Sequence, residues 1–247
     1  MLTDTHCHIH EASYVDKQGA AERAAAAGVT RVICVGTDDT TSEEALRFAA
    51  AHEEAWASVG VHPHESKEGY DGVMRMAAEG GPKLVAIGEI GLDYFYTHSP
   101  KEVQISAFEA QLQLAADRSL PVIFHVREAF DDFWPILANF PGVIGVLHSY
   151  TDSLANLERA LAEGLYIGVN GISTFSKTNR EMWDAIPLEN MLLETDAPFL
   201  TPEPHRGKVN EPAFVRHVAE YHAKRRGVEL EHLARVTSAN ASTLFRI

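Results

Sequence analysis

At 247 residues, with 45% apolar and 23% charged content, the chain is long enough to bury one large core. No shift in composition marks a linker, so a single domain over 1–247 is expected. The formal charge of −14 argues against coating duplex DNA through a broad basic face, which needs many Lys and Arg on phosphates. No apolar run approaches the ~20 residues of a membrane span, and polar residues from Thr3 onward stand where a secretory leader would need an apolar stretch. Cys7 and Cys34 form no CxxC pair, which leaves a disulfide framework or a zinc knuckle without support. A soluble, unprocessed, cytoplasmic protein with no membrane association is expected.

In chain order, short runs rich in β-branched residues recur and alternate with helix-like segments. Strands are expected at 2–5, 31–35, 56–60, 84–88, 121–124, 143–147, 165–169 and 190–193. Amphipathic stretches lie at 42–52, 101–118, 153–163 and 212–226, and the Ala-rich stretch 24–27 reads as ordinary helix. Ser42, with Glu44 and Ala45, opens the first of these like a capped turn. Asn210 offers a cap just ahead of Pro212 in a first turn. Eight strands alternating with helices imply parallel pairing and a closed (β/α)8 TIM-type barrel of the α/β class. An open doubly wound sheet is the alternative, but no GxGxxG or GxxxxGK[ST] loop follows the first strand.

A barrel of this kind builds its site from the C-terminal ends of several strands, and the His, Asp and Glu residues collect there. His6 and His8 close the first strand, Glu89 the fourth, His125 the fifth and His148 the sixth, while Asp196 follows the eighth. Alternate residues of a strand share a face, so Asp4, His6 and His8 point inward and Thr5 and Cys7 toward the helices. The same parity sets Glu89 with Val85 and Ile87, and His125 with Ile123. Six donors exceed one tetrahedral site and suit two divalent ions sharing a carboxylate, for which Glu89 is the expected bridge. His52, His217, His222 and His232 fall on helices and are expected to be solvated; His98 falls in a loop.

With these residues placed, the sequence resembles the TatD family of metal-dependent deoxyribonucleases, a branch of the amidohydrolase superfamily. The motifs that carry the resemblance run nearly end to end: DTHCHIH, GVHPH, AIGEIGLDYF, PVIFHVR, GVLHSY and ETDAPFLTPEPHRGKVNEP. The resemblance implies that His6, His8, Glu89 and Asp196 hold one metal and Glu89, His125 and His148 the other. Many amidohydrolases carry a modified lysine on strand four, where this chain has Glu89 and its nearest lysine, Lys83, precedes the strand. Relatives commonly have Asp two residues after HxH, where this chain has His10.

The implied activity is phosphodiester hydrolysis of nucleic acid, as a deoxyribonuclease or exonuclease acting 3′ to 5′ on single strands. Two ions would activate a water, Asp196 would orient or deprotonate it, and Asp196 and Glu89 are the expected catalytic pair. Imidazoles favour Zn or Mn, and oxygen donors with phosphate tolerate Mg. Arg206, whose planar fork can clamp two phosphate oxygens, heads the expected substrate contacts, followed by Lys208, His62, His64 and Arg127. Asp93 is expected to orient a metal-binding histidine. Tyr94, Phe95 and Tyr96 could stack on a base or simply pack. Two alternatives stand beside this: a hydrolase of a small-molecule or aminoacyl ester or amide, and a non-catalytic metal-binding scaffold.

Overall fold

A computed structural model describes residues 1–247. Its eight strands lie in one sheet in sequence order: β1 (Leu2–Cys7), β2 (Val29–Val35), β3 (Ala55–Val59), β4 (Leu84–Asp93), β5 (Val122–Arg127), β6 (Gly145–Leu147), β7 (Tyr166–Val169) and β8 (Met191–Leu193). The helices α1 (Lys17–Ala26), α2 (Asp39–Ala51), α3 (Asp71–Glu79), α4 (Lys101–Arg118), α5 (Phe130–Leu137), α6 (Leu154–Ala162), α7 (Ile172–Phe175), α8 (Arg180–Ala185), α9 (Val215–Arg226) and α10 (Leu230–Phe245) complete the alternation. The fold is a (β/α)8 TIM-type barrel. No helix is long and apolar enough to cross a membrane.

By its contacts the chain forms two compact units, Val35–His148 and a second made of Met1–Cys34 with Ser149–Ile247. In the second, β1 pairs in parallel with β2 through Asp4↔Val32 and Cys7↔Cys34, and β7 with β8 through Ile167↔Met191. A parallel bridge from Cys7 to Ala197 ties β1 to the segment that follows β8. In Val35–His148, β3, β4, β5 and β6 pair in parallel in turn, with Val59↔Ile87, Asp93↔Arg127 and Ile123↔Val146 in register. Its largest fully buried side chains include Phe108, Phe124 and Phe133, whose rings meet at 5.3–6.2 Å.

Every expected strand is present, but three run further than their apolar residues suggest: β1 to Cys7, β4 to Asp93 and β5 to Arg127. His6, Glu89 and His125 therefore sit inside strands. The backbone ladder carries the strand past the point where side chains turn polar, as the bond from the Tyr94 N–H to the Arg127 carbonyl (2.9 Å) shows.

Helix α2 starts earlier than its apolar periodicity indicates. Asp38 caps it, accepting the Thr41 N–H at 2.7 Å in a reciprocal capping box. Ser42 is instead buried and receives the Gly60 N–H at 3.2 Å. Asn210 likewise caps no helix. Its amide donates to the carbonyls of Thr195 (2.8 Å) and Phe199 (2.5 Å), clasping the loop, and Pro212 opens a 3-10 turn, Pro212–Phe214, ahead of α9. Helix α10 is anticipated in the sequence only at His232, although Leu233, Ala234, Thr237, Ala241 and Leu244 repeat at helical spacing. It packs on the outer face of β1, where Thr3 meets Ser238.

His222 is buried rather than solvated, with its Nε2 2.8 Å from Ser173 Oγ. Burial, reinforced by the nearby Arg226, pushes its pKa down to about 3. The unfolded chain then takes up a proton near pH 6.5 that the folded chain resists until about pH 3. The depressed value therefore gives stability that is full above pH 6.5 and drains as pH falls through that window. At about 1.4 kcal/mol per pH unit, denaturant unfolding at pH 4.5 should show wild type losing roughly 2–3 kcal/mol more than His222→Asn, each relative to pH 7. Parallel acid losses in the two proteins would refute this.

Candidate metal centre

Asp4 and His6 lie on β1 and His8 just past its end, all at most 4% exposed. Beyond β1 the chain is stitched to the segment after β8: the Asp196 N–H donates to the His6 carbonyl (2.8 Å) and the His8 N–H to the Ala197 carbonyl (2.7 Å). This pairing, not sequence proximity, brings Asp196 to the two histidines. His6 Nε2 and His8 Nε2 lie 3.2 Å apart, and Asp196 Oδ1 is 3.5 Å from the first and 3.4 Å from the second. Ligands held about 2.1 Å from a tetrahedral ion stand about 3.4 Å from one another. The triangle fits one divalent ion. Asp196 has φ 59°, a left-handed conformation that Asp tolerates better than most residues and that tends to occur where function demands it.

Beneath this triangle Asp4 accepts the Thr195 N–H (2.9 Å) and contacts Thr195 Oγ1 (2.6 Å). Burial pushes its pKa up to about 8, outweighing the Thr195 bonds, so a largely neutral acid lies below the histidines at pH 7.

The other donor set lies in Val35–His148. Glu89 Oε1 is 2.8 Å from His125 Nδ1, 3.6 Å from His62 Nε2 and 3.6 Å from His148 Nε2. His125 Nε2 faces Asp93 Oδ2 at 2.9 Å, so with Asp93 accepting from that nitrogen, Nδ1 is the one left to ligate. Asp93 also faces His64 Nε2 (3.1 Å) and accepts the backbone N–H groups of Phe95 and Tyr96 (both 3.0 Å). Gln104 clamps the Asp93 backbone from α4, accepting its N–H and donating to its carbonyl.

The electrostatics follow. Burial alone would raise the Asp93 pKa, but the bonds from His125 and the Tyr96 N–H hold it well below the carboxylate range. Burial opposes charge on His125, and its bonds to Asp93 and Glu89 overcome that, raising its pKa. His62 and His64 are both pushed down, first by burial, and neutral imidazole is the form that ligates.

Of the expected substrate residues, His62 lies within the Glu89 and His125 donor set, its atoms within 4.8 Å of theirs. His64 and Arg127 belong to the same unit; the Arg127 guanidinium lies 3.8 Å from the Phe95 ring centroid. Arg206 and Lys208 are exposed on the 201–210 loop of the other unit. There Arg206 donates to the Thr201 carbonyl (2.6 Å) and covers the Phe175 ring at 3.7 Å. The sequence reading gave no role to Gln104 or Thr195, and none to His62 as a metal donor. The HPH spacing after β3 was the available signal for His62. His10 is buried, and its carbonyl accepts from Lys17.

A family model described as TatD related DNase matches residues 3–246. The chain is 38% identical to the 3′-5′ ssDNA/RNA exonuclease TatD of Salmonella typhimurium, over 94% of each chain. It is 37% identical to the metal-dependent hydrolase YabD of Bacillus subtilis, over the full length of both. Among solved structures, the Escherichia coli TatD homologue YjjV matches with a TM-score of 0.92 and 30% identity, covering 100% of this chain and 98% of that one. Two donor sets that fit divalent ions, carried at strand ends of a (β/α)8 barrel, agree with these matches, and the chain belongs to the TatD family of metal-dependent hydrolases.

Proposed function

We propose that this hydrolase is a two-metal phosphodiesterase that shortens single-stranded nucleic acid from its 3′ end. The observation that carries the metal part is the pair of donor sets: His6, His8 and Asp196 at 3.2–3.5 Å, and Glu89 with His125, His62 and His148 at 2.8–3.6 Å. The substrate part is supported by the Salmonella relative, a 3′-5′ ssDNA/RNA exonuclease. Glu89, with His125, His62 and His148, would hold one of the ions, and His6, His8 and Asp196 would hold the other. When bound, Zn, Mn or Mg ions here supply Lewis acidity to a phosphate and lower the pKa of a water toward neutrality.

The chain's own groups do the rest. Asp196 holds a ligand oxygen toward His6 and His8 and offers its second oxygen to accept the water's proton. Asp93 fixes the ring of His125 so that Nδ1 meets Glu89. Arg206 and Lys208, exposed on their loop, are the groups we assign to the phosphate backbone. For Arg206 the clamp needs only its outer N–H groups, since the Phe175 stack already fixes the guanidinium plane.

The test is hydrolysis by protein stripped and reloaded separately with Zn, Mn or Mg. Substrates are end-labelled single- and double-stranded oligonucleotides beside ester and amide compounds. Metal-dependent release of nucleotides from the 3′ end of single strands is expected. Hydrolysis of esters or amides alone would replace this reading with the small-molecule one, and inactivity with every metal and substrate would favour a scaffold.

A further inference from the structure

Three aromatic residues follow Asp93 at the end of β4, and the structure separates their fates. Tyr94 is engaged: its hydroxyl donates to Asp132 (2.7 Å) and the Lys101 ammonium lies 4.7 Å from its ring centroid. Phe95 and Tyr96 are 48% and 42% exposed, with rings 4.7 Å apart at 85°. They are not loosely held, because both backbone N–H groups bond Asp93 Oδ1. Arg127, opposite Asp93 in β5, lays its guanidinium 3.8 Å from the Phe95 centroid and 5.1 Å from that of Tyr96. His64 and His98 meet Tyr96 at 5.3 and 5.5 Å. Asp93 joins the group to the metal-donor set through His125.

We propose that Phe95, Tyr96 and Arg127 form a stacking platform for an unpaired nucleobase beside the Glu89 and His125 donor set. The proposal rests on the phosphodiesterase reading and extends it to what the enzyme grips. A net charge of −14 offers no broad attraction for a polyanion. Short-range contact with base faces then has to supply affinity, and stacking on aromatic side chains is worth about 1–3 kcal/mol per base whatever the base. A guanidinium stacked on Phe95 keeps its plane fixed and its edge donors available, so one residue can cover a base and meet its phosphate. A duplex hides base faces in its own stack. The platform therefore selects single strands, and it prescribes weak dependence on sequence.

The experiment is a cycle between protein and substrate. One axis is wild type against the F95A/Y96A double variant. The other is an intact single strand against one whose 3′-terminal nucleotides are abasic. The double variant should raise KM on the intact strand roughly 10–100-fold, and F95W/Y96F should restore it. Wild type should lose a similar factor on the abasic strand. The two losses should not add in the variant tested on the abasic strand, since both remove the same contact.

Unfolding midpoint and metal content report whether the variants keep the wild-type fold. The abasic arm needs no variant, so misfolding of the double variant does not shield the proposal. Unchanged KM for the double variant, fully additive losses, or no penalty for the abasic strand with wild type would each overturn the platform while leaving the phosphodiesterase reading intact. If wild type cleaves no oligonucleotide with any metal, both fall together.

Discussion

Asp196→Asn should lower the rate of oligonucleotide hydrolysis by about 10²–10⁴-fold, the range typical of losing a positioned proton acceptor. The substitution isolates chemistry from folding for a structural reason. Asp196 sits at φ 59°, where Asn is tolerated and an alanine would be strained. The backbone bonds from the Asp196 N–H to the His6 carbonyl and from the Phe199 N–H to the Asp196 carbonyl do not involve the carboxylate. The variant should therefore unfold at the wild-type denaturant midpoint. Asn keeps one oxygen that can face His6 and His8 but cannot accept the water's proton at neutral pH. The loss should fall on kcat more than on KM, since the oligonucleotide's other contacts are untouched. Release of nucleotides at the wild-type rate would remove Asp196 from the chemistry.

Gly91→Ala should be the most damaging small substitution in β4. Gly91 lies between Glu89 and Asp93, in register with His125, at φ 148°. A Cβ there would stand 1.9 Å from the His125 carbonyl oxygen, a backbone atom of the paired strand with no flexible end to move. Backbone strain of roughly 1–3 kcal/mol and overpacking of similar size sum to on the order of 4 kcal/mol.

Because β4 and β5 carry Glu89 and His125, whatever protein still folds should bind less metal in that donor set. Gly28→Ala is the control. Its φ of 83° imposes conformational strain, but nothing lies within 4 Å of an added Cβ. It should cost about 1 kcal/mol and leave metal content unchanged. Urea midpoints and metal analysis of the two variants decide the matter. Equal midpoints would show that β4 and β5 can separate without penalty and would refute the close-approach account.

Much of the site could be read from the chain because a strand's side-chain period is two. Asp4, His6 and His8 announce a shared face without any tertiary information, and the eight runs of β-branched residues announce the alternation. Helix ends were harder to place. Asp38 rather than Ser42 caps α2, since a cap is chosen by backbone geometry and by a bond to Thr41, which apolar spacing does not report. His222 looked like a surface residue, because burial on α9 depends on Ser173 of a helix far away in sequence. Only the fold puts His62 Nε2 3.6 Å from Glu89 Oε1.

By itself the sequence determined which residue types stand at which strand ends, and so that the chain would gather imidazoles and carboxylates for divalent ions. Periodicity and composition are local properties, and they carry that far. Which donor side chains come together, which nitrogen of His125 is turned to Glu89, and which aromatics beside Asp93 stay open were decided only in the tertiary structure. Those outcomes depend on pairing between segments distant in the chain, which periodicity and composition do not report.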